Sequence, residues 1–193
     1  MKKPALAVAI LLAAPLAAED WEIGLFAGQQ GYRSSDLPGV SEPKSRPAFI
    51  GRLGFSAVDL GPVLVQITTG LHRETETIYK TGTGDGTFHS HTHVSLGAMF
   101  NFKAVVAFGA GIEYRFERLN KTNSGMSDAT FNRPWARANV GLAFPTPVMK
   151  PFVGLEVAVP LVNKSADASS SMEDQIRSLA PKYQIGLYGG IRF

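Results

Sequence analysis

The chain contains no cysteine, so neither a disulfide framework nor a thiolate metal site is available to it. Beyond the first 18 residues, no apolar stretch approaches the roughly 18–20 residues that a membrane-spanning helix needs. Lysine and arginine are dispersed without a basic run, which excludes the electrostatic footprint of a nucleic-acid-binding protein. Histidine is scarce as well: there are four, and all fall between His72 and His93. A chain with these absences is stabilised by hydrogen-bonded structure alone, and if it crosses a membrane it must do so with strands.

The N-terminus carries Lys2 and Lys3, an apolar run from Ala5 to Leu16, then Ala17 and Ala18 before Glu19 and Asp20. This is the pattern of a cleavable signal peptide, residues 1–18, with cleavage after Ala18, although Leu16 suits its position less well than Ala. An N-terminal anchor is the alternative, but the run is shorter than the roughly 20 residues of a spanning helix. Removing 18 of the 193 residues leaves 175, and losing two lysines lowers the formal charge from +3 to +1. Residues 19–193 suit a single domain.

Within that domain, period-two alternation marks eight strands. They run Trp21–Tyr32, Ala48–Val58, from Val63 to about His72, Phe88–Phe102, Val105–Leu119, Trp135–Phe144, Phe152–Val162 and Tyr183–Phe193. The connections alternate in length. Long polar loops cover Ser34–Arg46, the stretch around Thr81–Gly86, Asn120–Arg133 and Asn163–Lys182, whereas Asp59–Pro62, Lys103–Ala104 and Pro145–Pro147 are tight turns. In the last loop, Ser171 sits where a hydroxyl can cap a short helix carrying Met172, Ile176 and Leu179. An even strand count with alternating loop lengths is the plan of an all-β, eight-stranded antiparallel up-and-down transmembrane β-barrel. A soluble β-sandwich is the alternative for the same strand count.

The two faces of the strands differ in charge. The large apolar residues share one register, and the opposite register collects Glu22, Arg52, Glu113, Arg115, Glu117, Arg137, Glu156 and Arg192 with Gln66, Asn101, Asn139 and Gln184. Such a balanced set can neutralise itself inside a narrow barrel. Interior glycines such as Gly24, Gly28, Gly97 and Gly186 leave room for the long side chains, so a filled lumen is expected, not an open pore. The final strand, Tyr183–Phe193, has the length of a tilted membrane strand and ends on an aromatic residue.

On these features, the chain resembles the small outer-membrane β-barrel family, the eight-stranded type that includes the membrane domain of outer-membrane protein A, outer-membrane protein X and the opacity adhesins. The resemblance covers the whole mature chain. It implies residence in the bacterial outer membrane among outer-membrane lipid and lipopolysaccharide, and recognition of the C-terminal strand by the barrel-assembly machinery. It also implies a structural or surface-interaction role, adhesion to an extracellular ligand at the loops included. The rival function is a narrow small-solute channel, and a less favoured one is a lipid A-modifying barrel enzyme.

Chemistry-bearing clusters are few. His89, His91 and His93 are spaced two apart on one strand, and His72, Glu74 and Glu76 occupy the inward register of its neighbour. Neutral imidazoles with carboxylates suit Zn, Ni or Cu, a group of histidines can also sense pH, and the plainer reading is polar residues at the lumen mouth bonded to Glu and water. The hairpin register decides what faces what: a turn at Gly82-Thr83 would set Glu74 against His91, and a turn at Asp85-Gly86 would not. Ser90 and His91 fall on opposite faces, so they make no nucleophile–base pair. The Thr81–Gly86 stretch lacks the strand–loop–helix setting of a phosphate loop and is read as a hairpin tip. No catalytic residue, metal site, cofactor or nucleic-acid partner is expected. A recognition role would rest on the loops, with Met126 and Phe131 in the third and the short helix in the fourth.

Overall fold

The computed structural model describes residues 21–193 apart from 33–39, 42–44, 61, 74–76, 82–83, 103–105, 122–127, 145–148, 164–168, 172–173 and 175–176. The expected signal peptide lies outside the described residues. Ten strands form one antiparallel sheet, in the order β2-β5-β6-β4-β3-β1-β10-β9-β8-β7, and a further pairing of β6 with β7 closes it. Eight of them make the barrel: β1 (Trp21–Gly31), β3 (Ser45–Asp59), β4 (Val63–Arg73), β6 (Gly84–Phe102), β7 (Val106–Lys121), β8 (Ala129–Ala143), β9 (Lys150–Pro160) and β10 (Tyr183–Arg192). The two short strands, β2 (Val40–Ser41) and β5 (Thr77–Thr81), stand outside it: β5 pairs with the start of β6, and β2 pairs with β5. Every barrel strand hydrogen-bonds the next, so the fold is a closed up-and-down barrel and not a sandwich. Closure leaves no barrel edge unpaired.

Closure is made by β1 and β10, which pair from Glu22↔Arg192 to Gly31↔Tyr183. Trp21 and Phe193 exchange two backbone hydrogen bonds at the end of this seam, 2.7 and 2.9 Å long. Two directly opposed glycine pairs, Gly24↔Gly190 and Gly28↔Gly186, lie along it. The strands approach so closely there that a Cβ built on Gly28 would stand 2.4 Å from the Ile185 carbonyl oxygen and 2.5 Å from Gly186 Cα. Both obstacles are backbone. Gly28→Ala should therefore cost about 1–3 kcal/mol of stability by overpacking. Gly51→Ala, whose new methyl meets nothing within 4 Å, should be neutral or slightly stabilising. Urea midpoints of the two variants test the pair directly.

The alternation of faces is carried through as the sequence reading expects. Phe49, Phe108, Val157 and Ile185 point outward and are exposed, whereas Arg52, Glu113, Arg137 and Glu156 are buried. The inner wall has one feature the alternation did not single out: an apolar cluster of Phe26, Ala48, Ile50 and Tyr188, with Phe152 packed against it. The largest departures from the sequence reading are the early starts of two strands. β8 begins at Ala129, because Ala129, Phe131, Arg133 and Trp135 continue one buried register through a stretch that polar composition marks as loop. β6 begins at Gly84, and with β5 it forms a hairpin beyond its pairing with β4, which stops at Arg73↔Thr92. A bulge between Ser56 and Val58 shifts the β3–β4 register near the tight turn.

The expected cap in the last loop is present. Asp174 N donates to Ser171 Oγ at 3.2 Å, and Asp174, Arg177 and Ser178 are helical, while Leu179 falls in the turn that follows and Met172 and Ile176 lie outside the described residues. The residues that follow turn inward: Leu179 and Ala180 are buried, and Ala180 packs with Leu119, Ala129 and Phe131. These apolar side chains close the lumen at the loop end. Phe131 is thus part of the plug and not a free recognition residue, and Met126 lies outside the described residues.

Candidate functional site: the filled lumen and its histidine cluster

The inward register stacks three tiers of side chains. At the short-turn end, Glu22 accepts from Arg192 Nη2 at 2.6 Å, from Gln66 Nε2 at 3.1 Å and from the Tyr188 hydroxyl, and Asn101 Nδ2 donates to Gln66 Oε1 at 2.5 Å. A cavity of about 370 Å³ opens at this end, lined by Glu22, Asn101, Asn139, Phe152 and Arg192, with Met99 and Arg137 among its walls.

The middle tier is ionic. Arg52 Nη1 lies 2.5 Å from both carboxylate oxygens of Glu156, and both side chains are 1 % exposed. The Arg52 guanidinium also lies over the Tyr188 ring, 5.1 Å from its centroid. Arg137 bridges two acids, with Nη1 3.1 Å from Glu113 Oε2 and Nε 3.7 Å from Glu156 Oε2. Arg115 Nε donates to Glu113 Oε1 at 2.5 Å. Opposed charges with matched hydrogen bonds are the condition under which buried ions are tolerated, and each arginine of this tier faces a carboxylate.

At the loop end, Glu117 is the hub. Arg133 grips it in a two-pronged contact of 2.6 and 3.1 Å, Trp135 Nε1 donates to it at 2.8 Å, and His91 Nε2 lies 3.2 Å from Oε2. The Arg115 guanidinium carbon lies over Trp135, 3.7 Å from the ring centroid. Beside this hub stand three of the four histidines. His72 and His93 are register partners across β4 and β6, and His91 follows on the same face of β6. Their ring centroids are 5.0, 5.6 and 5.7 Å apart. One ligating nitrogen from each can be chosen so that all lie within 4.8 Å of one another, and all three residues are buried. Three imidazoles converging in this way are able to hold a transition-metal ion.

Of the other sequence candidates, Glu74 and Glu76 lie outside the described residues, as does the His89 side chain. The β6–β7 register shifts between Phe88 and Ser90. The β5–β6 hairpin keeps the register of β4–β6, and its last pair, Thr81↔Gly84, leaves Gly82 and Thr83 between the strands. That matches the Gly82-Thr83 turn. Sequence reasoning missed Trp135 and Arg133 as lumen residues, although the unbroken run Phe131, Arg133, Trp135, Arg137 carried the signal. No family model and no curated protein matches the chain.

Proposed function

We propose that the chain is an outer-membrane β-barrel protein whose lumen is closed by its own side chains and whose loops engage a partner outside the cell. The observation that carries this reading is the inverted partition of the barrel. Arg115 is 0 % and Glu117 2 % exposed, while Phe49, Leu71 and Ile112 on the outer wall are 61–63 % exposed. A soluble monomer rarely leaves a contiguous apolar belt of that extent in water, whereas acyl chains solvate it at no cost. Among the described residues no helix is long and apolar enough to cross a membrane, so the strands would make the crossing. The alternating loop lengths support the same location.

The interaction role rests on the hairpin of β5 and β6 with its added strand β2, which extends past the barrel wall on a rigid base. Loops held by such a scaffold commonly carry recognition. The location is tested by outer-membrane fractionation together with gel mobility. A folded barrel in unheated sample should migrate apart from the boiled chain, and a protein found free in the periplasm with a single mobility would refute it. The rival reading, a narrow solute channel, has to conduct through the Arg52–Glu156 and Arg137–Glu113 pairs and past the Leu119, Ala129, Phe131 and Ala180 plug. Planar-bilayer conductance is accordingly expected to be negligible, and sustained open events would favour the channel. Lipid A acylation should be unchanged on expression.

A further inference from the structure

We infer that His72, His91 and His93 form a binding site for a divalent late transition-metal ion, with Zn²⁺ the best fit, inside the barrel beneath the loop-end plug. The inference goes beyond the proposed function and depends on the closed barrel alone, wherever the barrel resides.

Three observations carry it. The first is convergence: three buried imidazoles from two paired strands present nitrogens within 4.8 Å of each other. A tetrahedral Zn²⁺ with bonds of about 2.0–2.1 Å needs its ligand nitrogens about 3.3 Å apart. The rings must therefore draw inward by roughly an ångström, a displacement that small side-chain rotations supply.

The second is orientation. His72 Nδ1 lies 2.8 Å from the Phe49 carbonyl oxygen, and a carbonyl can only accept. The proton is thereby fixed on Nδ1, and Nε2 carries the lone pair. His91 Nε2 lies 3.2 Å from the Glu117 carboxylate, which fixes that proton on Nε2 and leaves Nδ1 as the donor atom. An imidazole that donates one N–H to a carbonyl or carboxylate and turns its other nitrogen to the metal is the usual outer-sphere arrangement of histidine ligands.

The third is the lack of another use for these atoms. His72 Nε2, His91 Nδ1 and both ring nitrogens of His93 have no hydrogen-bond partner among the described residues, and His93 is only 2 % exposed. Guanidinium nitrogens such as Arg52 Nε and Arg115 Nη1 are also without a partner among the described residues, but they carry protons, whereas a neutral imidazole keeps one lone pair that can take a metal.

The charges around the trio are Glu117, Arg115 and Arg52. Both arginines oppose a cation, but Arg115 is held by Glu113 and lies over Trp135 and Arg52 is held by Glu156, while the Glu117 carboxylate against His91 favours one. Three imidazoles fill three of four tetrahedral positions, and the fourth is left for a water molecule. Thiolate ligands are ruled out for want of cysteine, and a site of imidazole nitrogens selects Zn²⁺, Cu²⁺ or Ni²⁺ over Mg²⁺ or Ca²⁺.

The test uses the whole chain expressed without a histidine tag and purified from whichever cell fraction holds it. The protein is then refolded with Zn²⁺ or Co²⁺ and freed of loose metal by a chelator wash and gel filtration. One Zn²⁺ per chain is expected, together with the visible absorption of four-coordinate Co²⁺. His93→Asn and His72→Asn should each lose the metal, Glu117→Gln should weaken binding by about 10- to 100-fold, and His89→Asn should bind as the parent does. Retained Zn²⁺ content below about a tenth of an equivalent overturns the inference. So does binding that survives His93→Asn and disappears with His89→Asn, because the ion then belongs to the hairpin. If the histidine variants do not fold, X-ray absorption on the Zn²⁺-loaded parent decides: three imidazole ligands support the site, and any smaller number refutes it.

Discussion

Glu156→Ala should destabilise the barrel by about 3–5 kcal/mol, the range for removing one member of a buried ion pair. Arg52 and Glu156 are both 1 % exposed and sit 2.5 Å apart, so deleting the carboxylate strands the Arg52 guanidinium in a site that water cannot readily reach. It also deprives Arg137 of the second of its two acids, so two guanidiniums lose the carboxylate they share. The double variant Arg52→Met/Glu156→Leu removes both charges with similar volume. It should recover most of the loss, since replacing a buried pair by apolar groups is often neutral or favourable. Urea unfolding followed by tryptophan fluorescence reads both variants, because Trp135 is fully buried at the loop-end tier. A single variant that unfolds within about 1 kcal/mol of the parent would mean that the middle tier is wet and its charges screened.

Ile112→Arg should cost about 2–4 kcal/mol in a lipid bilayer, and Val106→Arg only about 0–1, the depth dependence of a cation on a lipid-facing wall. Ile112 lies midway along β7 and is 63 % exposed, whereas Val106 is the first residue of that strand and is comparably open at 55 %. The two positions differ in depth and hardly in local packing. In water neither substitution buries a charge, so a soluble barrel would tolerate both alike. Unfolding in vesicles therefore tests the solvent of the outer wall: equal, small effects at the two sites would remove the membrane reading, and a steep difference would support it.

The barrel was largely legible because one physical rule, period two, governs every strand. Side chains such as Leu25, Phe108 and Val157 declare the outer face and Arg52, Glu113 and Arg137 the inner one, whatever the order of pairing. Boundaries were less legible where the strands leave the apolar belt. Above it, outward positions such as Thr130 and Asn132 are free to be polar, and the contrast that marks a strand fades, which is why β8 was read six residues short. The ion pairs were legible as a balanced set but not as partners. Arg52 with Glu156 joins residues 104 apart in sequence, and only the circular strand order brings β3 and β9 to face one another across the lumen. The histidine cluster was half legible: the spacing of His91 and His93 put them on one face, while their meeting with His72 and Glu117 depended on two registers that composition does not encode. The inward Phe26–Ile50–Tyr188 patch carried no distinguishing signal, since single apolar residues on a polar face look like noise.

The seam between β1 and β10 has a consequence for the order of assembly. Glu22 and Arg192, which meet in an ion pair there, stand 170 residues apart, so the contact that seals the cylinder is among the most distant in the chain. Any shorter stretch is an open, curled ribbon with two raw edges, liable to stick to other ribbons. The cylinder is sealed only once β10 is available to pair with β1. A lesion that delays or frays that last strand would then be felt as trapped, adhesive half-cylinders and lost yield long before it registered as a weaker finished product.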